Sequence, residues 1–349
     1  MVKVSVIIPV YNTQDYLSEC LDSVLNQSLT DIEIICINDG STDASMEILK
    51  DYQNRDSRIK IISQENKGSG ASRNVALKSA IGEYVYFLDS DDYLDLDALR
   101  QLYEISADKD LDYVMFKITN FNYKSRKESH SSYFDMPFIH ESVGDNVFDW
   151  TQIREHVFDV SVSVTSKLYK RDFICDFTFP EGLIFEDNVF SIKTLFNAKR
   201  IYFYEKYLYY RRVHPNSITH SAYDKFKDCI AVYDLIIDYI KVIGLYEEFK
   251  VQIFNRECHD VFHRFALVSD EFKRDFFNSI QSSFSMRKKE LEDEGILKNC
   301  SKRSLKIFDS ALNSNNYEDF ESSVKRFDLH GKPKKSNFGN LKKFIKKYI

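Results

Sequence analysis

The amino-acid sequence predicts an α/β fold with a mostly parallel sheet, followed by a mostly α-helical C-terminal region. Four short apolar runs alternate with amphipathic segments over the first 110 residues, the pattern of right-handed βαβ units. Three of these runs end in polar residues, where open α/β sheets bind their ligands. From Ala222 to about Val324 the apolar residues recur at helical spacing instead, with breaks near Gly244 and Gly295.

Composition and charge narrow the classes of function. The chain has 349 residues, 43% of them hydrophobic, which suits one large or two ordinary domains. Its net charge of −6 argues against a nucleic-acid-binding protein, where a basic patch is expected. The six cysteines form no C-x-x-C pair, so we expect no zinc or disulfide framework and a reducing compartment. We find no signal peptide and no run of about 20 apolar residues, so the predicted location is cytoplasmic.

The elements of the α/β region follow one another in order. Strands are predicted at 3–10, 33–37, 58–63 and 84–88, and each is followed by a helix, at 14–26, 46–52, 71–80 and 95–108. Gly82 breaks the chain before the fourth strand. Further strands are predicted at 112–118 and 207–210, and the polar segment 119–142 predicts hairpins or a loop over the site.

Polar side chains follow three of the predicted strands. Tyr11 and Asn12 follow the first, Asp39 the second, and Asp89 and Asp91 the fourth. Because the carboxyl ends of parallel strands lie side by side, we expect these residues to converge on one crevice. The carboxylates at the fourth strand suit Mg²⁺ or Mn²⁺, with water and phosphate oxygens as the other ligands.

Each motif alone has a plainer alternative. Asp89, Asp91 and Asp92 also fit an acidic turn that caps the helix at 95–108. The stretch N-D-G-S-T-D at 38–43 is by itself an ordinary helix start, since Asp, Ser and Thr are the usual capping residues. The convergence of three strand ends is more specific than any of these motifs.

Four motifs, in order and at plausible spacing, resemble those of family 2 glycosyltransferases with the GT-A fold. They are V-S-V-I-I-P-V-Y-N at 4–12, I-N-D-G-S-T-D at 37–43, N-K-G-S-G-A-S-R-N at 66–74 and F-L-D-S-D-D at 87–92. The resemblance is strong over about residues 2–110 and weaker to about residue 220. It implies a Rossmann-like GT-A sheet and an inverting enzyme that uses a UDP-sugar. The chain departs from the family's common form at Asn38, where a second Asp is usual.

The resemblance implies a role for individual donor-site residues. Tyr11 corresponds to the aromatic residue that stacks on the base, and Asp39 to the carboxylate that accepts a hydrogen bond from a base N–H and so favours uracil. Arg73 corresponds to the basic residue of the third motif, near the base and the phosphates. The full set expected to bind the UDP-sugar is Pro9, Tyr11, Asn12, Asp39, Arg73, Asp89, Ser90, His214 and Ser217.

The same resemblance implies a divalent metal ion, Mn²⁺ or Mg²⁺. Asp89 and Asp91 correspond to the D-x-D pair, with Asp91 the direct ligand and His214 a further one. The metal would neutralise the diphosphate and improve it as a leaving group. The segment 211–219 resembles a loop that closes over the diphosphate, and Arg212, His214 and Ser217 are its candidate contacts to phosphate or metal.

A second carboxylate pair lies on the acceptor side. Glu186 and Asp187 precede an apolar helical pattern and resemble the family's E-D pair, with Asp187 as the general base; the segment 166–171 resembles the K-L-Y segment near the acceptor. A helix N-terminus lowers a carboxyl pKa, whereas a general base works best with a pKa near the operating pH. We expect burial beside Asp91 to raise it again. The alternative is that both residues only cap the helix.

The sequence therefore predicts a metal-dependent, inverting hexosyl- or N-acetylhexosaminyl-transferase. It would move a sugar from a UDP-sugar to a hydroxyl of a glycan or lipid-linked acceptor in cell-surface polysaccharide synthesis. One alternative is a nucleotidyltransferase on a similar sheet. Such enzymes usually have a Gly- and basic-rich loop after the first strand, and this chain has Tyr11–Gln14 there, which argues against this alternative. The other is a non-catalytic module that binds a UDP-sugar or a glycan.

The predicted domains are a GT-A domain at 1–220, a helical domain at 221–330 and a basic tail at 331–349. The nucleotide-sugar half of the first would span 1–110 and the acceptor half 111–220. The helical domain is expected to pack on the catalytic one or to form a homo-oligomer. The tail has seven lysines and no acid, and 340–349 has an amphipathic helical pattern. It would attach the enzyme to the anionic inner face of the plasma membrane; the alternatives are a solvated tail and one docked on the protein itself.

Overall fold

The computed structural model describes residues 1–214 and 223–330, and side chains as far as Phe327. The chain forms two compact units. The first holds residues 1–182 and 186–214, and the described part of the second holds 183–185 and 223–330. The domain limits expected from the sequence stay a prediction.

The first unit is built on a nine-stranded mixed sheet. Its strands are β1 (Val4–Val10), β2 (Ile32–Asp39), β3 (Ile59–Gln64), β4 (Tyr84–Phe87), β5 (Tyr93–Leu94), β6 (Tyr113–Asn122), β7 (Lys127–Ser129), β8 (Lys167–Lys170) and β9 (Ile201–Val213). The order is β3-β2-β1-β4-β8-β6-β9-β5, with β7 paired to β6. The first four strands of this order are parallel, as are β6 and β9, which confirms the α/β class with a mostly parallel sheet.

Helices of the first unit follow the strands. They are α1 (Leu17–Leu25), α2 (Ser45–Arg55), α3 (Ser69–Ser79), α4 (Ala98–Asp108), α5 (Ser132–Asp135), α6 (Pro137–Val143), α7 (Arg171–Ile174) and α8 (Glu186–Asn197), with 3-10 turns at Trp150–His156 and Val164–Ser166. Every residue of β2 and β4 is buried, which explains the continuous apolar runs at 34–37 and 84–87 in place of an alternating pattern. The hairpin expected within 119–142 is present as β6 and β7.

One feature of the sheet departs from the βαβ pattern. β8 lies between β4 and β6 and is antiparallel to both. β5 pairs with β9, also antiparallel. The pairing of β5 with β9 brings the chain just after Asp91 beside the strand that leads to His214, so this mixed half of the sheet joins two parts of the predicted site.

The second unit is helical, as predicted. Its helices are α9 (Asp228–Val242), α10 (Tyr246–Leu267), α11 (Asp270–Asp293), α12 (Ile296–Asn299), α13 (Lys302–Asn313) and α14 (Tyr317–His330), after a 3-10 turn at Tyr223–Lys225. The predicted breaks at Gly244 and Gly295 are present, with φ of 74° and 70°. A core rich in phenylalanine holds the helices together. No described helix combines the length and the apolar composition that crossing a membrane requires.

Candidate active site

The loops after β1, β2 and β4 contact one another. Asn12 Oδ1 accepts a hydrogen bond from the Thr42 backbone N–H at 2.8 Å. Thr13 Oγ1 donates to Ser90 Oγ at 3.1 Å, which joins the first loop to the D-x-D segment. Asn12 adopts a left-handed φ of 52°, which Asn tolerates better than most residues. The strand ends that carry the predicted donor-site residues are therefore joined at one edge of the sheet.

Tyr11 stands out because its aromatic ring is open to solvent. It is 48% exposed at the end of β1, whereas Val10 before it is fully buried. An exposed ring at a strand end is available for stacking on a flat ligand. Pro9, two residues earlier, lies within β1 opposite Ile37 of β2.

Asp39 is buried, with 3% exposure, and holds the loop that leads into α3. Its carboxylate accepts hydrogen bonds from the backbone N–H groups of Lys67 at 2.9 Å and Gly68 at 2.8 Å, and from Gln64 Nε2 at 2.7 Å. A carboxylate has about four acceptor positions, so about one remains for a ligand. We did not predict from the sequence that Asp39 holds this loop. The one sequence feature that could have indicated a tight loop here is Gly68, whose φ of 88° favours glycine.

Arg73 is buried between carboxylates of two motifs. Its Nη1 donates to Glu186 Oε1 at 2.6 Å and its Nη2 to Asp89 Oδ1 at 2.8 Å. Its guanidinium also lies 5.4 Å from the centroid of the Phe179 ring. Burial alone would lower the pKa of Arg73, but Asp89 and Glu186 raise it, so the guanidinium stays charged. Arg73 thus links the third motif, the D-x-D motif and the E-D pair.

The three carboxylates after β4 have different environments. Asp91 Oδ2 lies 2.8 Å from His214 Nε2. Asp92 is buried, and accepts hydrogen bonds from the Tyr209 hydroxyl at 2.5 Å and the Arg212 backbone N–H at 2.6 Å. Burial raises the pKa of Asp89, and Asp91 adds to this although Arg73 opposes it. Asp92 therefore anchors β9, while Asp89 contacts Arg73 and Asp91 contacts His214.

Asp91 and His214 supply a donor set that fits a divalent ion. Asp91 Oδ2 and His214 Nε2 lie 2.8 Å apart, within hydrogen-bond distance, and so bring an oxygen donor and a nitrogen donor together. The buried His214 Nδ1 has no hydrogen-bond partner in the described part of the chain. Within residues 1–214 and 223–330, no group of three or more His, Cys, Asp or Glu side chains is arranged to hold a metal. The protein would thus provide few ligands and leave positions for phosphate and water, as Mg²⁺ and Mn²⁺ sites often do.

Arg212, a candidate contact to phosphate or metal, is enclosed. It is 2% exposed, and its guanidinium carbon lies 5.1 to 5.4 Å from the ring centroids of Tyr16, Tyr93 and Tyr123. Its Nε donates to the Asp91 carbonyl oxygen at 2.7 Å and its Nη2 to Glu19 at 2.7 Å. Arg212 therefore fixes the backbone of Asp91. Ser217, the other expected contact, lies outside the described residues, as does the tail at 331–349.

Glu186 and Asp187 begin α8 and differ in their partners. Glu186 is buried and accepts hydrogen bonds from Ser69 Oγ and Arg73. Burial and the charge of Glu186 raise the pKa of Asp187 to about 7, although Arg73 and Lys167 act in the opposite direction. Burial thus outweighs the helix N-terminus, and the carboxylates that add to the shift are Glu186 and Asp89, whereas the sequence suggested Asp91. A pKa near neutrality matches the requirement for a general base.

Lys167 was not predicted as a site residue, although it opens the K-L-Y segment. It is 1% exposed and its Nζ donates to the carbonyl oxygens of Ser161 and Ser163, both at 2.7 Å. Burial lowers its pKa to about 7, and Asp187 opposes the shift. The only sequence feature that could have indicated the burial of Lys167 is its position at the start of the short strand β8.

Comparison with known proteins identifies the family. The "Glycosyl transferase family 2" profile matches residues 5–167. Glycosyltransferase GlyG of Streptococcus pneumoniae serotype 4 is 30% identical over 71% of this chain and 87% of its own length. The chain belongs to glycosyltransferase family 2.

Two longer relatives match as well. Glycosyltransferase GlyA of the same strain is 34% identical, and the chain covers 32% of its length. The poly(ribitol-phosphate) β-glucosyltransferase of Bacillus spizizenii is 32% identical over 93% of this chain and 51% of its own length. This chain therefore spans a third to a half of these two proteins. The prediction of a family 2 glycosyltransferase is confirmed.

Solved structures confirm the fold. Staphylococcus aureus TarS residues 1–349 in complex with UDP-GlcNAc superimposes with a TM-score of 0.70 at 22% identity, covering 96% of this chain and 94% of that one. The mannosyltransferase PcManGT of Pyrobaculum calidifontis, in complex with GDP-Man and Mn²⁺, gives a TM-score of 0.53 at 14% identity, covering 95% and 88%. The predicted GT-A fold with a helical C-terminal region is confirmed.

Proposed function

We propose that the protein is an inverting glycosyltransferase that moves a hexosyl or N-acetylhexosaminyl group from a UDP-sugar to a hydroxyl of a cell-surface polymer. The observation that carries the proposal is one connected group of side chains. Asp89 of the D-x-D motif is joined through Arg73 to Glu186, and the adjacent Asp187 has a pKa of about 7. This network supports the proposal, because it joins the candidate nucleotide-binding edge to a carboxyl group that could act as a base at neutral pH.

The donor is proposed to be a UDP-sugar. Tyr11 offers an exposed ring for stacking on the base, and Asp39 keeps about one acceptor position for a base N–H. The TarS complexes with UDP and with UDP-GlcNAc support this choice of nucleotide.

The acceptor is proposed to be a hydroxyl of a glycan or of a polyol-phosphate polymer. The poly(ribitol-phosphate) β-glucosyltransferase supports the second class, since it matches 93% of this chain. A lipid-linked acceptor, attachment of the tail to an anionic membrane and a homo-oligomer remain proposals from the sequence.

A divalent metal is proposed to be held by Asp91 and His214, with Asp89 nearby. When bound, the ion would stabilise the negative charge that develops on the diphosphate. Arg212 keeps Asp91 in place by its hydrogen bond to the Asp91 carbonyl oxygen.

The proposed reaction is a single displacement. Asp187 accepts the proton of the acceptor hydroxyl while the oxygen forms a bond to the anomeric carbon, and the bond from that carbon to the diphosphate oxygen breaks. UDP leaves with the bonding electron pair, and the anomeric centre is inverted. Arg73 partly balances the charge of Asp89 and Glu186 and so keeps Asp187 from becoming an even weaker acid.

The test is UDP release from UDP-glucose and UDP-GlcNAc, with and without ribitol-phosphate oligomers, in Mn²⁺ and in EDTA. We expect metal-dependent release that the acceptor accelerates. If every UDP-sugar stays intact under all these conditions, the proposed function is wrong. Release of UMP and a sugar phosphate would instead favour attack on phosphorus.

A further inference from the structure

Lys167 is a lysine buried within the sheet unit. It is the first residue of β8, and its Nζ donates to the carbonyl oxygens of Ser161 and Ser163, both at 2.7 Å. Taking an ammonium group out of water costs free energy that two carbonyl dipoles offset only in part. A lysine held in a folded chain at such a cost is a candidate for a function.

The segment that binds Lys167 also contacts α8. Ser191 Oγ donates a hydrogen bond at 2.5 Å to the carbonyl oxygen of Val162, which lies between the two residues that bind Lys167. Ser191 follows Asp187 by four residues, so the two side chains lie on the same face of α8. The segment 161–163 therefore joins Lys167 to the face of α8 that carries Asp187.

The packing of β8 on α8 leads to the same relation. Lys167 and Tyr169 are two residues apart and lie on one face of β8. The ring of Tyr169 meets that of Phe190 edge to face, with 5.7 Å between the ring centroids. Phe190 follows Asp187 by three residues and lies on the same face of α8. Lys167 of β8 and Asp187 of α8 are therefore on the two faces that pack together.

The charges of Lys167 and Asp187 act on each other. Burial has the largest influence on both groups: it lowers the pKa of Lys167 and raises that of Asp187. Against burial, the Asp187 charge raises the pKa of Lys167, and the Lys167 charge lowers the pKa of Asp187. Glu186, Arg73 and Asp89 also act on Asp187. Arg73 is bound to Asp89 and Glu186. Lys167 binds backbone carbonyl groups instead, so its charge remains available to Asp187.

We propose that Lys167 is a positioning residue for proton transfer, which fixes the segment 161–163 beside α8 and supplies the buried positive charge that keeps Asp187 ionised. This inference rests on the proposed function, in which Asp187 is the base. An opposite charge near a carboxyl group lowers its pKa by about 1–3 pH units. Loss of the Lys167 charge should therefore move the acid limb of the pH profile up by about one pH unit and lower kcat/KM at pH 7 by about fivefold.

The experiment compares charge variants of the full chain. Lys167→Gln removes the charge and keeps an N–H donor for the carbonyl groups, whereas Lys167→Met removes both. Lys117→Gln is the control: Lys117 lies on β6 of the same sheet, its side chain is 15% exposed, and it pairs with Glu205 at 2.6 Å. Each variant is assayed for kcat/KM of UDP release from UDP-GlcNAc between pH 5.5 and 9, for the KM of the donor and for melting temperature.

We expect the acid limb to move to higher pH in both Lys167 variants, with the KM for UDP-GlcNAc unchanged and the wild-type rate approached at pH 9 in Lys167→Gln. Lys117→Gln should leave the acid limb in place. A structural role alone would lower the melting temperature and reduce the rate by the same factor at every pH. That result, or an acid limb that stays in place in Lys167→Gln, overturns the proposal.

A second measurement needs no turnover. In a chain labelled with carbon-13 at the lysine ε-carbon, the Lys167 signal is assigned by its absence from Lys167→Gln and followed by NMR as the pH changes. Burial lowers the pKa of Lys167 to about 7, and Asp187 opposes this shift. We expect Lys167 to titrate near pH 7 in the wild-type chain and at lower pH in Asp187→Asn. An identical titration in the two chains would overturn the proposal.

Failure of the proposed function gives a different result. A wild-type chain that releases no UDP from any sugar donor contradicts the proposed function. A titration of Lys167 that does not depend on Asp187, in a chain that does release UDP, contradicts the role of Lys167 alone.

Discussion

The pKa of Asp187 leads to a quantitative prediction about pH. Burial and Glu186 raise this pKa to about 7, and a general base acts only when deprotonated. The rate should therefore fall as the pH falls through 7, with about a tenfold loss at pH 6 relative to the plateau if the pKa is 7. The assay is kcat/KM for UDP release between pH 5.5 and 9 at saturating Mn²⁺. Glu186→Gln removes a charge that raises the pKa, so its acid limb should move to lower pH.

Asp187→Asn tests the same residue directly. Transfer should fall by two or more orders of magnitude, the scale of a general base, while UDP affinity is retained. Because burial raises the pKa of Asp187, its charge lowers the stability of the fold above pH 7, so the amide should melt no lower than wild type at pH 8. Asp172→Asn, on an exposed carboxylate of α7, is the control and should change neither quantity. An unchanged acid limb in the pH profile of Asp187→Asn would show that another group is the base. Loss of UDP binding with turnover intact would place Asp187 in the donor site.

Three further predictions concern the donor and the tail. Asp91→Ala should abolish transfer and the metal-dependent part of UDP binding, measured by calorimetry. The control Asp108→Ala, at an exposed position of α4, should change neither. Full activity of Asp91→Ala, or of the wild-type chain in excess chelator, would contradict the metal proposal. UDP should bind at least about tenfold more tightly than GDP, because a hydrogen bond from the uracil N–H to the Asp39 carboxylate contributes about 1.5–3 kcal/mol. Equal affinities for UDP and GDP would contradict this role of Asp39. A chain truncated after His330 should lose salt-sensitive co-sedimentation with anionic vesicles; equal binding of both chains would exclude the tail.

The sequence predicts the first half of the fold well for a physical reason. β1 to β4 and their helices are local βαβ units, whose apolar runs and capping residues lie within about 30 residues of one another. The antiparallel β8 was not predictable in this way, because its partners are β4 and β6, more than 40 residues earlier in the chain. Its four residues alone do not specify a position in the sheet.

The same limit applies to the site. Asp39, Asp89 and Asp91 were recognisable from their motifs, since each follows a strand end. The pairing of Arg73 with Glu186 joins residues 113 positions apart, and no local pattern indicates it. The enclosure of Arg212 depends likewise on rings from three separate segments. Motifs thus identified candidate groups, and only the folded chain showed which charges neutralise one another.

In the proposed mechanism, Asp187 is the base of a single displacement on a UDP-sugar. The most direct test follows the first anomer released from UDP-α-GlcNAc by proton NMR, with water as the acceptor, before mutarotation equilibrates the sugar. We expect UDP together with β-GlcNAc from the wild-type chain, and a rate lower by at least two orders of magnitude in Asp187→Asn. Release of α-GlcNAc first, or an equal rate in Asp187→Asn, would contradict it.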